Sequence, residues 1–381
     1  MFQVLTLNKI SKTGLSHFDP AFFTCADDLS SPDAVIVRSA SMHEMELPEN
    51  LLAIARAGAG TNNIPIDRCT EQGVAVFNTP GANANAVKEL VICALFLTSR
   101  KIVEGARWVE GLKGEGENVS AKVEKGKGQF VGPEILGKTL GVIGLGAIGL
   151  LVAESAKALG MRVVAYDPFF NRERLPQNVE LYDTLDEVFP LCDYLTLHLP
   201  LNDATRGLVG KDSIARMKDG VRILNFARGP LVDDESIIAA LDEGKVSAYA
   251  TDFPTDAQLC HPGVIAIPHL GASTPESEEN CAVMAVEELS EYLLSGNVHN
   301  SVNLPELRLE RQGKARISVI TRGECAASIG AALAGAGVNV TASASAVKKG
   351  VSCCLFDTDD EVTDDVIEKI KSDSVIAIRI I

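Results

Sequence analysis

The sequence predicts an α/β protein: two doubly wound units with parallel sheets, then a smaller α+β block of order βαββαβ. Three observations carry this expectation. Short runs rich in Val, Ile and Leu alternate with helical patterns from 138 to about 270, as buried parallel strands do. A glycine-rich turn, Val142-Ile-Gly-Leu-Gly-Ala-Ile-Gly149, stands between a strand and a helix. After residue 316 the pattern changes to strand, helix, two strands, helix and strand.

Along the chain, Met1 to Leu7 reads as a first strand. Ala34-Val-Ile-Val-Arg38 and Val74-Ala-Val-Phe-Asn78 read as buried strands, and Asn50 to Arg56 as a helix entering Ala57-Gly-Ala-Gly60. Ala86 to Val103 is apolar on most sides and is expected to be a helix buried between domains. Residues 111–133, rich in Gly, Lys and Glu, read as a long exposed excursion. Candidate strands follow at 140–144, 162–167, 194–198, 221–225, 247–251 and 264–268, then a helix from Thr274 to Gly296. Leu304 to Ala315 is polar and reads as a linker. The last block offers strands at 316–320, 338–346, 350–356 and 374–381, with helices at 325–334 and 362–371. The expected domains are 1–85 with 275–305, then 86–274, a linker at 306–315, and 316–381.

The chain has 381 residues, enough for two or three domains, and an ordinary composition of 46% hydrophobic and 23% charged residues. No apolar run is long enough to span a bilayer, and the N-terminus lacks the marks of a signal peptide. Nine scattered cysteines without a Cys-x-x-Cys pair point to reduced thiols and a cytoplasmic protein, with no zinc site. A net charge of −16 argues against nucleic acid and anionic membranes as partners. An anionic substrate would need a local basic site. Arg107, Lys113, Lys122, Lys125 and Lys127 cluster, though such a run is as readily a solvated surface.

The glycine turn has a chemical reading. Gly144 permits the tight turn, Gly146 lets the backbone approach a pyrophosphate, and Gly149 lets the helix pack on the strand. The helix beginning at Ala147 and Ile148 offers free N–H groups and a positive dipole end to phosphates. Arg162-Val-Val-Ala-Tyr-Asp167 supplies a second strand ending in an acid. Asp167 would accept bonds from ribose hydroxyls and repel a ribose phosphate, so NAD is expected over NADP.

Three further features fall at strand ends: Arg228 in Leu224-Asn-Phe-Ala-Arg-Gly229, Asp252 and Asp256 in Thr251-Asp-Phe-Pro-Thr-Asp256, and His269 in Ile267-Pro-His-Leu-Gly271. In open α/β sheets ligands bind outside the carboxyl ends of the strands, so these side chains can converge. Oxidising a 2-hydroxy acid needs a base for the hydroxyl proton, which a histidine supplies near neutral pH. An arginine holds the carboxylate in a forked geometry, and a carboxylate behind the histidine orients its ring.

With Ala57-Gly-Ala-Gly-Thr-Asn62, Gly144–Gly149, Asn225–Gly229 and Pro268–Thr274 in view, the chain resembles the D-isomer-specific 2-hydroxyacid dehydrogenases from about Ala34 to Asn303. The resemblance implies two Rossmann-like domains, NAD as cofactor, and a homodimer or homotetramer. It also implies His269 as acid/base and Arg228 as the substrate-binding arginine, with Asp256 the nearest acid to the family's catalytic glutamate. Gly58, Ala59 and Gly60 would offer N–H groups to the substrate carboxylate. Arg38 and Ser39 would lie at a phosphate end, with Asn83 on the substrate side. Thr196, His198, Ala227, Arg228, Asp252, His269 and Gly271 fall where the family contacts NAD. Within the family the similarity leans to members that oxidise 3-phospho-D-glycerate to 3-phosphohydroxypyruvate, the first step of L-serine biosynthesis. Hydroxypyruvate/glyoxylate reduction, D-lactate oxidation, oxidation of another phosphorylated acid and non-catalytic NAD sensing are the alternatives.

Two departures stand out. The segment after Asp252 is one residue shorter than the family's and carries Asp256 where a glutamate is usual. Lys88 replaces a small residue and could reach a phosphate or face solvent. The C-terminal block resembles an amino-acid-binding (ACT) regulatory domain in element order. Its first turn, Thr321-Arg-Gly-Glu-Cys325, lacks the usual Asn-x-Pro-Gly, so serine as an effector and a purely assembling role are equal expectations.

Overall fold

A computed structural model describes residues 1–381. Its contacts divide the chain into two compact units, Met1–Asn83 with Pro275–Ile381, and Ala84–Thr274. The first unit begins with β1 (Phe2–Leu7), β2 (Phe23–Ala26), β3 (Ala34–Val37), β4 (Ala53–Arg56) and β5 (Ala75–Asn78). They form a parallel sheet in the order β2-β1-β3-β4-β5. The helix Pro275–Ser295 lays Ala282, Ala285, Val286, Leu289 and Leu293 against one face, at helical spacing, while Met42, Ile64 and Cys69 cover the other. Sequence reading makes 50–56 a helix, but Ala53-Ile-Ala-Arg56 is a central strand paired on both sides. A short apolar run carries no period that separates the two, and two neighbouring strands decide it.

The second unit holds β6 (Thr139–Ile143), β7 (Arg162–Tyr166), β8 (Val179–Tyr182), β9 (Tyr194–Leu197), β10 (Val221–Asn225), β11 (Val246–Thr251) and β12 (Val264–Ala266). The sheet is parallel, ordered β12-β11-β10-β9-β6-β7-β8. Both faces are buried. Val142, Val163 and Leu224 meet the helices Ala84–Arg100 and Ala147–Ala158, while Ile143, Leu195 and Ile223 meet Val188, Ile214 and Ile237.

One expectation needs correction here, and another needs detail. The helix Ala84–Arg100 is not buried on most sides: within its unit Val87, Val91, Ala94 and Leu95 form one buried stripe, while Glu89, Cys93 and Phe96 are exposed. It stops at Lys101, whose φ of 46° is left-handed. Residues 111–133 are exposed as expected, none of them buried, but they are not without secondary structure. After the helix Ile102–Glu110 the segment winds into Val119–Gly126 and flanking 3-10 turns, folded back so that Phe130 packs on Trp108 at 5.4 Å. The helical spacing of Val119 and Val123 is masked in sequence by the surrounding Gly and Lys.

The C-terminal block supplies β13 (Ala315–Arg322), β14 (Val340–Lys348), β15 (Val351–Thr358) and β16 (Val375–Ile380), an antiparallel sheet ordered β14-β15-β13-β16. Alternation sorts its side chains. Ile317, Val319, Cys354 and Phe356 pack under the helices Ala326–Gly335 and Asp364–Ile370, whereas Ile320, Cys353 and Leu355 join the core of the first sheet. Arg316 and Asp357, both fully buried, form a two-pronged ion pair at 2.6 and 2.8 Å. Arg316 also donates to the carbonyl of Ser295, and Asp357 accepts from the amide of Gln312. The pair thereby ties β13 to the end of the helix Pro275–Ser295 and holds the polar segment before β13 at Gln312.

Candidate active site

The glycine turn sits in the second unit, between β6 and the helix Ala147–Ala158. Gly144 has φ of 95°, and a side chain there would drive Cβ to 2.5 Å from the carbonyl of His198. At Gly149 a Cβ would come 1.9 Å from the carbonyl of Gly144, so only glycine lets the helix approach. Around Gly146 nothing lies within 4 Å, and it caps the helix with no side-chain acceptor. The N–H groups of the first turn, at Ala147 and Ile148, therefore face an open cradle with no capping oxygen, the arrangement that accepts a pyrophosphate.

Asp167 follows the end of β7 and is already engaged. One oxygen accepts from the amide of Leu145 at 2.8 Å and the other from that of Phe169 at 2.9 Å. It thus ties the glycine turn to the next strand, and its remaining lone pairs are available to ribose hydroxyls. At the end of β9, Thr196 Oγ1 meets His198 Nε2 at 3.0 Å. Burial pulls the His198 imidazole down to about 4, so it stays neutral at working pH.

The carboxyl ends of β10, β11 and β12 carry the rest. Buried Asn225 shapes the first of these turns: its Nδ2 donates to the carbonyl of Arg228 at 2.9 Å, and its Oδ1 accepts from Ala227 at 3.2 Å. Arg228 is exposed and rests one guanidinium nitrogen on the carbonyl of Ala227. Asp252 is 2% exposed, and no side chain hydrogen-bonds its carboxylate. Gly271 lies beside it, its Cβ position 3.5 Å from Oδ2. Burial pushes the Asp252 carboxyl up, opposed by the charges of His269 and Arg228. His269 is exposed, with the Phe253 ring 4.4 Å from its own. Asp256 is also exposed and opens the 3-10 turn Asp256–Gln258. Arg228, Asp252 and His269 therefore form one electrostatic group, and Asp256 stands on the surface turn.

In the first unit the sequence-derived residues cluster at the ends of β3 and β4. Asn8 accepts from the amides of Ser39 and Ala40, which holds the turn after β3. Arg38 pairs with Glu278 at 2.8 Å, both about one-third exposed at 34% and 39%. Gly58, at φ of 146°, leaves room for the guanidinium of Arg56; a Cβ would lie 1.7 Å from it. Arg56 Nε in turn donates to the carbonyl of Arg38 at 3.1 Å. Ala59 offers its carbonyl to Asn78, Gly60 follows in the same turn, and Asn83 is half-buried at the unit's edge. The basic cluster resolves into paired surface charge: Lys122 with Glu115, Lys127 with Glu124. Lys125 is exposed, and half-buried Lys88 lies 3.7 Å from Glu89.

Sequence reasoning missed Arg56, Phe253 and Asn225. Each flanks a residue it singled out, and a rule that strand ends act as sets would have included them. No group of three or more His, Cys, Asp or Glu side chains is arranged to hold a metal, and no helix is long and apolar enough to cross a membrane. All nine cysteines are free thiols.

Comparison with known proteins adds the relationships. The profile of the D-isomer specific 2-hydroxyacid dehydrogenase NAD binding domain matches residues 92–271. The chain is 42% identical over 269 residues to a hydroxypyruvate reductase of Thermotoga maritima, covering 68% of this chain and 83% of that one. It is 36% identical over 335 residues to a D-3-phosphoglycerate dehydrogenase of Bacillus subtilis, covering 83% of this chain and 62% of the relative. Among solved structures, an NAD+-bound 3-phosphoglycerate dehydrogenase of Entamoeba histolytica is similar at TM-score 0.63 and 28% identity, over 80% of this chain and 99% of that one. The chain spans 54–62% of the length of the first curated phosphoglycerate dehydrogenases it matches.

Proposed function

Because the chain belongs to the D-isomer-specific 2-hydroxyacid dehydrogenase family, we propose that it oxidises 3-phospho-D-glycerate to 3-phosphohydroxypyruvate with NAD, the entry step to L-serine. The observation that carries the chemistry is the grouping of Arg228, Asp252 and His269 at the ends of adjacent strands in the NAD-binding unit. NAD, when bound, takes up the hydrogen that leaves substrate carbon 2. The cradle at Gly144, Gly146, Ala147, Ile148 and Gly149 would hold its pyrophosphate, and Asp167 its ribose hydroxyls. Thr196, His198, Ala227, Asp252 and Gly271 would line the rest of its path.

His269 takes the proton of the substrate hydroxyl as oxidation proceeds and returns it in the reverse direction. Arg228 binds the substrate carboxylate and polarises the developing carbonyl. In the first unit, Gly58, Ala59 and Gly60 offer backbone N–H groups to the carboxylate, Asn83 contributes on the substrate side, and Arg38 with Ser39 meets the phosphate. The Arg38–Glu278 pair supports this assignment, because a one-third exposed guanidinium can exchange a carboxylate for a phosphate at little cost. Arg38→Ala is expected to raise KM for the phosphorylated substrate about tenfold or more with kcat less affected.

The second reading keeps the mechanism and drops the phosphate. The 42% identity to a hydroxypyruvate reductase favours it. NADH consumption with 3-phosphohydroxypyruvate, hydroxypyruvate, pyruvate and glyoxylate, with NADPH as the cofactor control, separates the two. Preference for the phosphorylated acid supports the first; turnover only of unphosphorylated acids selects the second.

The division of labour we assign is 1–85 with 275–305 for substrate, 86–274 for NAD, 306–315 as the connecting segment, and 316–381 as an ACT-like block. A pocket of about 530 Å³ in that block, lined by Ala326, Gly330, Ser343 and Phe356 among others, is of a size to admit a small amino acid such as serine. Serine inhibition of the purified protein tests it, and sedimentation distinguishes a homodimer from a homotetramer.

A further inference from the structure

We infer that Lys348, at the end of β14 in the C-terminal block, is a positioning residue for the turn Gly58–Gly60. The inference rests on the proposed function, in which that turn meets the substrate carboxylate. Lys348 is half-buried, and its ammonium is not spent on a carboxylate. It donates instead to the carbonyls of Ser301 and Leu304, at 2.7 and 3.3 Å. Bonds from a charged donor hold a short segment more firmly than neutral ones do. The next residue, Lys349, is exposed and left-handed at φ of 48°, so only one of the two lysines reaches the segment.

The segment held in this way is itself a rail along β5. β5 is an edge strand of the first sheet, paired with β4 on one side. Residues 301–303 line its other side. The Val302 amide and Ser301 Oγ both donate to the carbonyl of Val76, at 2.7 and 3.0 Å, and Asn303 Oδ1 accepts from the Val76 amide at 2.8 Å. Asn303 Nδ2 also donates to the carbonyl of Val74 at 2.9 Å. The end of β5 then carries the turn: Asn78 Nδ2 donates to the carbonyl of Ala59 at 2.6 Å, and the Thr79 amide to that of Gly58 at 3.2 Å. Lys348, the 301–304 segment, β5 and the turn are therefore joined in series within one compact unit. Without the ammonium, two carbonyls lose their donor, the rail loosens, and the turn drifts from the geometry that receives a carboxylate. The C-terminal block thereby takes part in substrate binding without any effector.

The experiment compares Lys348→Met, Lys348→Arg, Asn78→Ala and the control Lys349→Met, each melted first to establish that it folds. Hydrogen exchange reads the peptides that contain Val302 and Thr79. NADH consumption gives KM and kcat for whichever of 3-phosphohydroxypyruvate, hydroxypyruvate, pyruvate and glyoxylate the parent turns over, since all four carry the carboxylate. In Lys348→Met both amides are expected to exchange about tenfold faster or more. KM for the oxo acid is expected to rise about fivefold or more, with kcat and KM for NADH within about twofold of the parent. Lys348→Arg, which keeps a charged donor, should return part of the way, and Lys349→Met should match the parent. Asn78→Ala should raise KM similarly, and adding Lys348→Met to it should raise KM little further, because the two act in series. Faster exchange at Val302 with an unchanged KM overturns the inference. So does a matching loss in kcat and in KM for NADH, which a general loosening would cause. An Asn78→Ala protein with an unchanged KM overturns it as well, whether or not Lys348→Met folds. A parent that turns over none of the four acids overturns the proposed function, a separate failure, and exchange at Thr79 still shows whether Lys348 holds the turn.

Discussion

The C-terminal sheet and the strand ends of the NAD-binding unit treat buried charge in opposite ways. In the first, Arg316 and Asp357 are fully buried and closed upon each other, with Ser295 and Gln312 taking up further hydrogen-bonding groups. Arg379, next door, lays its guanidinium 4.4 Å above Tyr292 and donates to that residue's carbonyl. At the strand ends, Asp252 is almost as deeply buried, at 2% exposed, but no side chain closes on it, while Arg228 and His269 are exposed. A closed pair fixes one geometry and has no capacity left for a ligand. An open group holds its capacity in reserve for a substrate or for a proton in transit. On the function proposed, the difference separates structural charge from chemical charge without reference to residue type.

The comparison breaks most visibly at Arg316. Arg316→Met leaves Asp357 buried and alone, and is expected to cost about 3–5 kcal/mol in denaturant unfolding. Combining it with Asp357→Leu should recover most of that loss, since removing both charges leaves none uncompensated. A double variant as unstable as the single one would mean that the pair organises more than its own neighbourhood.

Glu288 is an intermediate case that sharpens the contrast. It is 5% exposed, with one oxygen accepting from Asn300 at 2.9 Å and the other unpartnered. Burial pushes it up from 4.5 to about 8, with Glu287 and Glu306 adding to the rise. Between those values the folded chain holds a proton that the unfolded chain has released, so stability falls as pH rises through that window. Glu288→Gln keeps the amide contact without the charge. It is expected to melt like the parent near pH 5 and to be more stable by about 1–3 kcal/mol at pH 8.

Smaller effects are expected at the open groups. Asp252→Asn should leave stability unchanged or raise it by about 1 kcal/mol, because a neutral amide is cheaper to bury than a carboxylate on which no side chain closes. Arg38→Ala should cost less than about 0.5 kcal/mol, as exposed pairs do, although substrate binding suffers. A large loss of stability in either would remove it from the chemical class and place it with Arg316.

Much of the candidate site was legible because its signals are local. Gly144, Gly146 and Gly149 are required by φ and close approach within a single turn, and Asp167 ends the very next strand. Arg228 and His269 announce themselves as charged residues directly after apolar runs. What failed was also local in form but decided elsewhere. Ala53–Arg56 has too few residues to declare a period, and its strand state comes from β3 and β5 on either side. The helix Val119–Gly126 is too rich in Gly and Lys to read as one, and the fold-back onto Trp108 holds it.

By itself, then, the sequence determined the alternation of strands and helices, the glycine turn and the identity of the charged groups at the strand ends, since each depends on neighbours within a few residues. The tertiary structure alone decided that, of two nearby acids, Asp252 is buried and Asp256 exposed. It also decided that Arg316 closes on Asp357, and that one face of the C-terminal sheet joins the core of the first. Those outcomes depend on burial and on partners tens of residues away, and the cost of an unpaired charge exists only once water has been excluded.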